Sequence, residues 1–380
     1  MIYLDNNATT KPAEEVVRAM LPFLHEQFGN PSSLHIAGQT ARHAVEDARA
    51  QVASLIGARS RDIVFTSGGT EADNLGILGA LDAYPSRKHL VTTAVEHVAV
   101  RDLCIRLAGR GHRVTFVPVD RDGRLDLEML SNALDDETAI VMAMAVNNET
   151  GVQFPLDEIF AITSWRGVPL HVDAVQAAGR LLLDVRTLPV ASLALSAHKI
   201  HGPKGVGALY VAPGTRIRSQ FVGGHQERDL RPGTENVAGI VGFGVAAGLA
   251  KQRLDLDTPR VRALRDRLEH GVRTCLSSAC VIASASPRVC NTTSIAFPGI
   301  EAEAILIGLS QRGLCASSGS ACSSGALEPS HVLQAMNIDP DTAKGAIRFS
   351  LSRYTSESEI DEAVTIVREV VQMLASMGPA

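Results

Sequence analysis

Seven short apolar runs, alternating with alanine-rich stretches of helical character, constrain the fold of this sequence more than any other feature. The runs cover 62–66, 88–92, 113–118, 139–146, 169–172, 192–195 and 208–211. A helical stretch read at 40–56 precedes the first of them, and helical stretches at 71–83, 98–108 and 126–134 separate the first four. Strands alternating with helices predict an α/β fold whose sheet is mainly parallel, seven-stranded and covered by helices on both faces. After about Leu254 the pattern changes. A charged helix is expected at 259–278, then a strand at 294–297, a helix at 301–312, a strand at 346–351 and a final helix from Ser356. This predicts a large domain over 15–254 and a smaller α+β domain built from 1–14 and 255–380. At 380 residues the chain is long enough for that division.

Composition argues against several classes of function. A net charge of −5 offers no electrostatic footprint for nucleic acid or an anionic membrane. No apolar run approaches the roughly 18 residues of a spanning helix, and residues 1–10 lack the basic and apolar regions of a signal peptide. The six cysteines are too sparse for a disulfide framework and form no C-x₂-C metal pair. A reducing cytoplasm is the expected compartment.

Ligands of open parallel sheets bind beyond the carboxyl ends of the strands, and the chemically useful residues gather there. Lys199 stands in Ser196-Ala-His-Lys-Ile-His-Gly, at the end of one strand and just before another. An amine so placed can be desolvated until it attacks carbonyls, although a lone lysine in a glycine-rich turn is more often a surface group. Thr66-Ser-Gly-Gly-Thr-Glu-Ala-Asp-Asn74 passes from strand to helix through Gly68 and Gly69. With Thr70 as the expected N-cap and Asp73 three residues on, it reads either as an anion cradle or as a capped turn. Asp173 and Gln176 close another strand; a buried carboxylate needs a cation, which could be a pyridinium nitrogen or a structural arginine. His97 follows the 88–92 strand and can lie over a flat ring or serve the core. Asn148 offers an amide at the end of the 139–146 strand, and Arg348 a fork for a carboxylate or a surface ion pair. Cys322 lies in Ala316-Ser-Ser-Gly-Ser-Ala-Cys-Ser-Ser-Gly325, a composition suited to a mobile loop and an accessible thiol. The other five cysteines have apolar or helical surroundings and are expected to be structural.

Taken together, these residues resemble the cysteine desulfurases, the NifS/IscS-like group of pyridoxal 5′-phosphate (PLP) enzymes of fold type I in the class V aminotransferase superfamily. The resemblance rests on Tyr3-Leu-Asp-Asn-Asn-Ala-Thr-Thr10, Gly29-Asn-Pro-Ser-Ser33, Thr66–Asn74, Glu96-His97, Asn148-Glu-Thr-Gly151, Asp173-Ala-Val-Gln176, Ser196-Ala-His-Lys199, Arg231-Pro-Gly-Thr-Glu-Asn236 and Ser317–Cys322. It implies that Lys199 carries PLP covalently and moves protons. It further implies that Asp173 pairs with the ring nitrogen, Gln176 with the ring hydroxyl, and that His97 stacks on the ring. Gly69, Thr70, Ser196 and His198 would hold the phosphate, with Thr234 joining from the partner subunit of a homodimer. Asn148 and Arg348 would hold the carboxylate of L-cysteine, and Cys322 would take its sulfur as a persulfide for a protein acceptor. Iron–sulfur cluster assembly, or thiolation of tRNA, DNA or a cofactor, would be the destination. A selenocysteine lyase, or a class V aminotransferase without sulfur transfer, shares the fold, but the Ser317–Cys322 stretch argues against it. The chain departs from the family pattern at His225, Pro232 and Ser352. The first two flank the position of Thr234.

Overall fold

The computed structural model describes residues 1–319 and 330–377. All seven expected strands lie in one sheet, in the order Ile63–Thr66, Gly207–Val211, Ser192–Ser196, Leu170–Asp173, Thr138–Met144, His89–Thr93 and Arg113–Val117. Gly207–Val211 is antiparallel to both its neighbours and the other four pairings are parallel, so six strands point one way. Their carboxyl ends therefore meet along one edge. The central strand Thr138–Met144 is buried throughout, as expected of a parallel strand covered on both faces.

Two helices escape the sequence reading. Glu14–His25 and Leu156–Trp165 are short amphipathic segments, buried only at Val16 and at Ile159 and Thr163. A larger difference concerns the expected helix at 259–278. Residues Val237–Cys275 form one continuous helix with Pro259 inside it. The buried stripe of Ile240, Phe243, Ala247 and Ala250 resumes, in phase, at Val261, Leu264, Leu268 and Val272. An apolar face at helical period outweighs the missing N–H of one proline. The position at which composition changes, near Leu254, falls inside this helix.

The remaining described strands form a four-stranded antiparallel sheet of Ser317–Ser318, Ala346–Ser350, Thr292–Ala296 and Cys280–Val281. The helix Glu357–Ser376, with a capping box formed by Ser356 and Glu359, packs against both the long helix and the helix Ala302–Gln311. The N-terminus joins this region, for Ile2–Tyr3 pairs in parallel with Leu314–Cys315 and Asp5 bridges Ser350.

One buried ion pair fastens the far side of the large sheet. Arg49 donates to Glu227 through Nη1 at 2.7 Å and Nη2 at 2.8 Å, and the Phe65 N–H donates to the same carboxylate at 2.8 Å. Glu227, Arg228 and Asp229 all have left-handed backbones, with φ of 46°, 57° and 65°. Such a turn persists only when its surroundings hold it. Glu227→Ala is expected to lower unfolding stability by about 3–5 kcal/mol, because it removes the buried bidentate partner of the guanidinium and leaves it only the half-exposed Glu46 and the Ile63 carbonyl. Urea denaturation measures this, and a loss below about 1 kcal/mol would show that the pair does not hold the turn.

Candidate active site

Below the carboxyl edge of the large sheet lies a cavity of about 310 Å³, lined by residues at or just beyond the ends of the strands Ile63–Thr66, His89–Thr93, Thr138–Met144, Leu170–Asp173 and Ser192–Ser196, and by Arg348 of the smaller sheet. The strand Ser192–Ser196 runs into a short 3₁₀ turn, Ala197–Lys199, which delivers the lysine to the cavity. Its Nζ donates to the main-chain carbonyls of Asn7 at 2.6 Å and Ala8 at 2.8 Å. The turn itself is stapled to the N-terminal segment, since Thr10 donates to the His198 carbonyl through both N–H and Oγ1 at 2.9 Å.

Asn7 is the residue that sequence reasoning missed. Its carbonyl also accepts from Gln176 Nε2 at 3.0 Å, and its Nδ2 donates to the Asn148 carbonyl at 3.0 Å and Thr292 Oγ1 at 2.9 Å. Its Oδ1 accepts from Asn291 at 3.0 Å, while its N–H donates to Ser350 Oγ at 2.9 Å. One buried asparagine thus joins the lysine turn, the Asp173–Gln176 turn, the Asn148 turn and the smaller sheet. The only sign in the sequence is a polar Asp-Asn-Asn run between an apolar strand and a threonine pair.

Asp173 closes its strand with Oδ1 accepting from the Val175 N–H at 2.9 Å. Burial pushes its carboxyl up, opposed by His97, by that hydrogen bond and by Lys199. No arginine pairs with it among the described residues, so the structural alternative weighed from sequence does not hold. His97 caps the helix Val98–Ala108 by accepting from the Ala99 N–H at 3.2 Å, and burial pushes its imidazole down. Gln176 also lines the cavity, and its Oε1 accepts from the buried Arg180.

The Gly-Gly turn differs from expectation. The helix begins at Gly69 with Gly68 as its cap, and Thr70 lies inside the first turn. Asp73 turns inward toward His171 instead of completing a cap. What remains at the helix start are free N–H groups at Gly69 and Thr70, opposite Ser196 and His198, which share the wall of the cavity and of an adjoining groove. A Cβ at Gly69 would stand 2.8 Å from a Val175 methyl group, so a larger residue here requires Val175 to shift. The Ser196 hydroxyl is buried without a partner, and burial brings His198 down to about 4, with Lys199 and Lys204 adding to it.

Arg348 is anchored by Asp5, which accepts from Nη2 at 2.9 Å, and by the Asn148 carbonyl at 3.2 Å from Nη1; its buried Nε has no partner. Next to Asn148, Glu149 receives Ser330 Oγ at 2.5 Å, and a Cβ at Gly319 would fall on the same carboxylate oxygen. Cys322 lies outside the described residues, three positions beyond Gly319 at the cavity wall. Thr234 is exposed and does not line the cavity of its own chain. His225 pairs with Asp229 at 2.6 Å, and Ser352 accepts from the Tyr354 N–H, so both departures from the family pattern are locally accommodated. Of the cysteines expected to be structural, Cys275 is exposed while Cys104 and Cys290 are buried.

The class defined by this lysine, aspartate and anion-ready turn on a mainly parallel sheet is that of the class-V aminotransferases, whose family model matches residues 2–363. "Cysteine desulfurase NifS" of Azotobacter vinelandii is 50% identical over 379 residues, covering 100% of this chain and 94% of that protein. A solved structure described as a NIFS-like protein superposes with a TM-score of 0.93 at 36% identity, covering 98% of this chain and 100% of that one. A second, "SspA in complex with cysteine", reaches 0.82 at 30% identity over 94% of this chain and 100% of that one. The chain belongs to the cysteine desulfurase family.

Burial pushes His171 down to about 3 and His201 to about 4, the latter helped by Arg353. Both imidazoles are therefore neutral when folded and titrate near 6.5 when unfolded. Stability is complete above that value and drains as pH falls toward the folded values. The thermal midpoint is expected to be level near pH 7 and to decline from about pH 6.5 to 5. In His201→Asn, whose left-handed backbone asparagine tolerates, the decline should be shallower. Parallel profiles for wild type and variant would contradict this assignment.

Proposed function

We propose that this protein converts L-cysteine to L-alanine with PLP bound at Lys199, leaving the sulfur as a persulfide on Cys322. The observation that carries this reading is the pair of buried, unpartnered polar atoms on two residues that line one cavity, Ser196 Oγ and Arg348 Nε. Each is an unmet hydrogen-bonding group of the kind that folded proteins leave for a ligand. The cavity also has the capacity of a small-molecule site.

The residues fit the cofactor by their chemistry. A phosphate would take the free N–H groups of Gly69 and Thr70, the Ser196 hydroxyl and His198, with Thr234 supplied across a homodimer interface. Asp173 would meet the ring nitrogen, Gln176 the ring hydroxyl, and His97 the ring face. When bound, PLP supplies an electron sink that weakens the bonds at the substrate's Cα and the adjoining bond to sulfur. Arg348 and Asn148 orient the substrate carboxylate. Lys199 takes the Cα proton and returns a proton to the side-chain carbon that becomes the methyl of alanine. The Cys322 thiolate attacks the substrate sulfur, so a carbon–sulfur bond breaks as a sulfur–sulfur bond forms, and L-cysteine plus a thiol gives L-alanine plus a persulfide. A protein acceptor then receives the sulfur.

A homodimer suits the apolar side chains Val17, Leu21, Leu24, Phe28, Leu34 and Ile36, all exposed on the first helix, the following loop and the start of the next helix. The large and small domains proposed from sequence meet at the cavity, with Lys199 from one and Arg348 from the other.

Lys199→Ala is expected to lose reducible, covalently held PLP. Cys322→Ser is expected to keep the visible chromophore while sulfide release in the presence of a thiol falls at least about a hundredfold, the scale for loss of a nucleophile. Absorbance after borohydride treatment and a sulfide assay measure the two. Wild-type sulfide release in Cys322→Ser would end the persulfide reading.

A further inference from the structure

Three carboxyl groups crowd the deep end of the cavity. Asp73 is 1% exposed and its Oδ1 lies 3.2 Å from His171 Nε2. The imidazole is completely buried, with Nδ1 2.8 Å from Ser192 Oγ. It is gripped by one helix face, because a Cβ at Gly76, one turn beyond Asp73, would stand 2.7 Å from Nδ1. His171 is two residues before Asp173 on the same strand, so both side chains share a face of the sheet. Glu96 approaches from beyond the end of His89–Thr93, two strands away in the sheet. Its Oε1 accepts from Thr93 Oγ1 at 2.7 Å and from the N–H of Met144, the register partner of Asp173, at 2.9 Å. Its Oε2 is buried without a partner.

Three buried anions cannot coexist here, since among the described residues the Lys199 amine faces Asp173 alone of the three, and the imidazoles of His97 and His171 are both pushed toward neutrality by burial. Facing basic groups, not the number of hydrogen-bond donors, decide which group keeps the charge, since Glu96 accepts from two donors yet has no cation acting on it among the described residues. Asp173 has the Val175 N–H and faces Lys199 and His97. The described partner of Asp73 is one neutral imidazole. Burial, then Asp173, then Glu96 push the Asp73 carboxyl well above its ordinary range, and burial brings Glu96 to about 8.

We propose that Asp73 is a positioning residue, a neutral carboxylic acid donating to His171 Nε2, which leaves Asp173 as the charged carboxylate where the cavity ends. His171 then carries its proton on Nδ1 and donates to Ser192 Oγ, so the ring is fixed in one tautomer behind Asp173. Glu96, also protonated near neutral pH, adds no competing charge. The protonation claim stands on the protein alone, whereas its effect on the cofactor rests on the function proposed above.

The cofactor-free protein, with ¹³C at its aspartate carboxyl carbons, tests the first part by infrared spectroscopy at pH 7. The expected spectrum has a carboxylic-acid C=O band that moves on labelling, disappears in Asp73→Asn and persists in Asp173→Asn. No protonated aspartate in the wild type, or a band lost in Asp173→Asn instead, would overturn the proposal even if Asp73→Asn failed to fold. For the cofactor, Asp73→Asn keeps a donor toward Nε2 and should bind PLP within about threefold of wild type, while Asp73→Ala, which leaves Nε2 unpaired, should bind at least about tenfold more weakly. Equal weakening in both variants would overturn the role through His171. A protein that shows the labelled acid band yet binds no PLP would count against the proposed function and leave the protonation assignment intact.

Discussion

The carbonyls of Asn7 and Ala8 hold the Lys199 ammonium group, and the site is assembled around that contact. Asn7 belongs to a segment that pairs with the smaller sheet, while Lys199 ends a strand of the larger one. The same asparagine reaches Gln176, Asn148, Thr292 and Asn291, so the two sheets cannot shift without breaking several buried hydrogen bonds. Such a network is costly when half satisfied and rigid when complete. It gives a reactive amine a fixed position without placing it on a mobile loop.

Electrostatic economy follows from the same geometry. The strand ends collect Glu96, Asp173 and the lysine turn at one edge, and the helix after the Gly-Gly turn adds Asp73 from the side. Few basic groups reach this depth, so the buried acids divide into one that keeps its charge and others that keep their protons. Other parts of the cavity wall are prepared for anions, with free helix N–H groups, an unpartnered hydroxyl and a guanidinium whose Nε is unused. A ligand with a basic ring nitrogen at one end and anionic groups toward the other matches that polarity.

Much of this was legible in the sequence, because strands buried on both faces are continuous apolar runs and strand ends in parallel sheets gather ligands. Lys199, Asp173, His97, Gln176 and Ser196 all line one cavity, as their places at strand ends implied, and Arg348 joins them from the middle of a strand of the smaller sheet. Asn7 was not legible: its role comes from contacts more than a hundred residues away in sequence. Asp73 was misread as part of a cap, since local spacing cannot show that a side chain turns under a sheet. The break expected at Pro259 failed because an in-phase apolar stripe carries the helix through it.

The central claim is that sulfur leaves L-cysteine for one particular thiol. A single turnover of the PLP-loaded protein, with alanine quantified and the peptides examined by mass spectrometry without reductant, measures it most directly. One alanine per active site, with a single additional sulfur atom on the peptide containing Cys322, is the predicted result. Alanine formed with no sulfur retained, or sulfur found on another cysteine, would contradict the account.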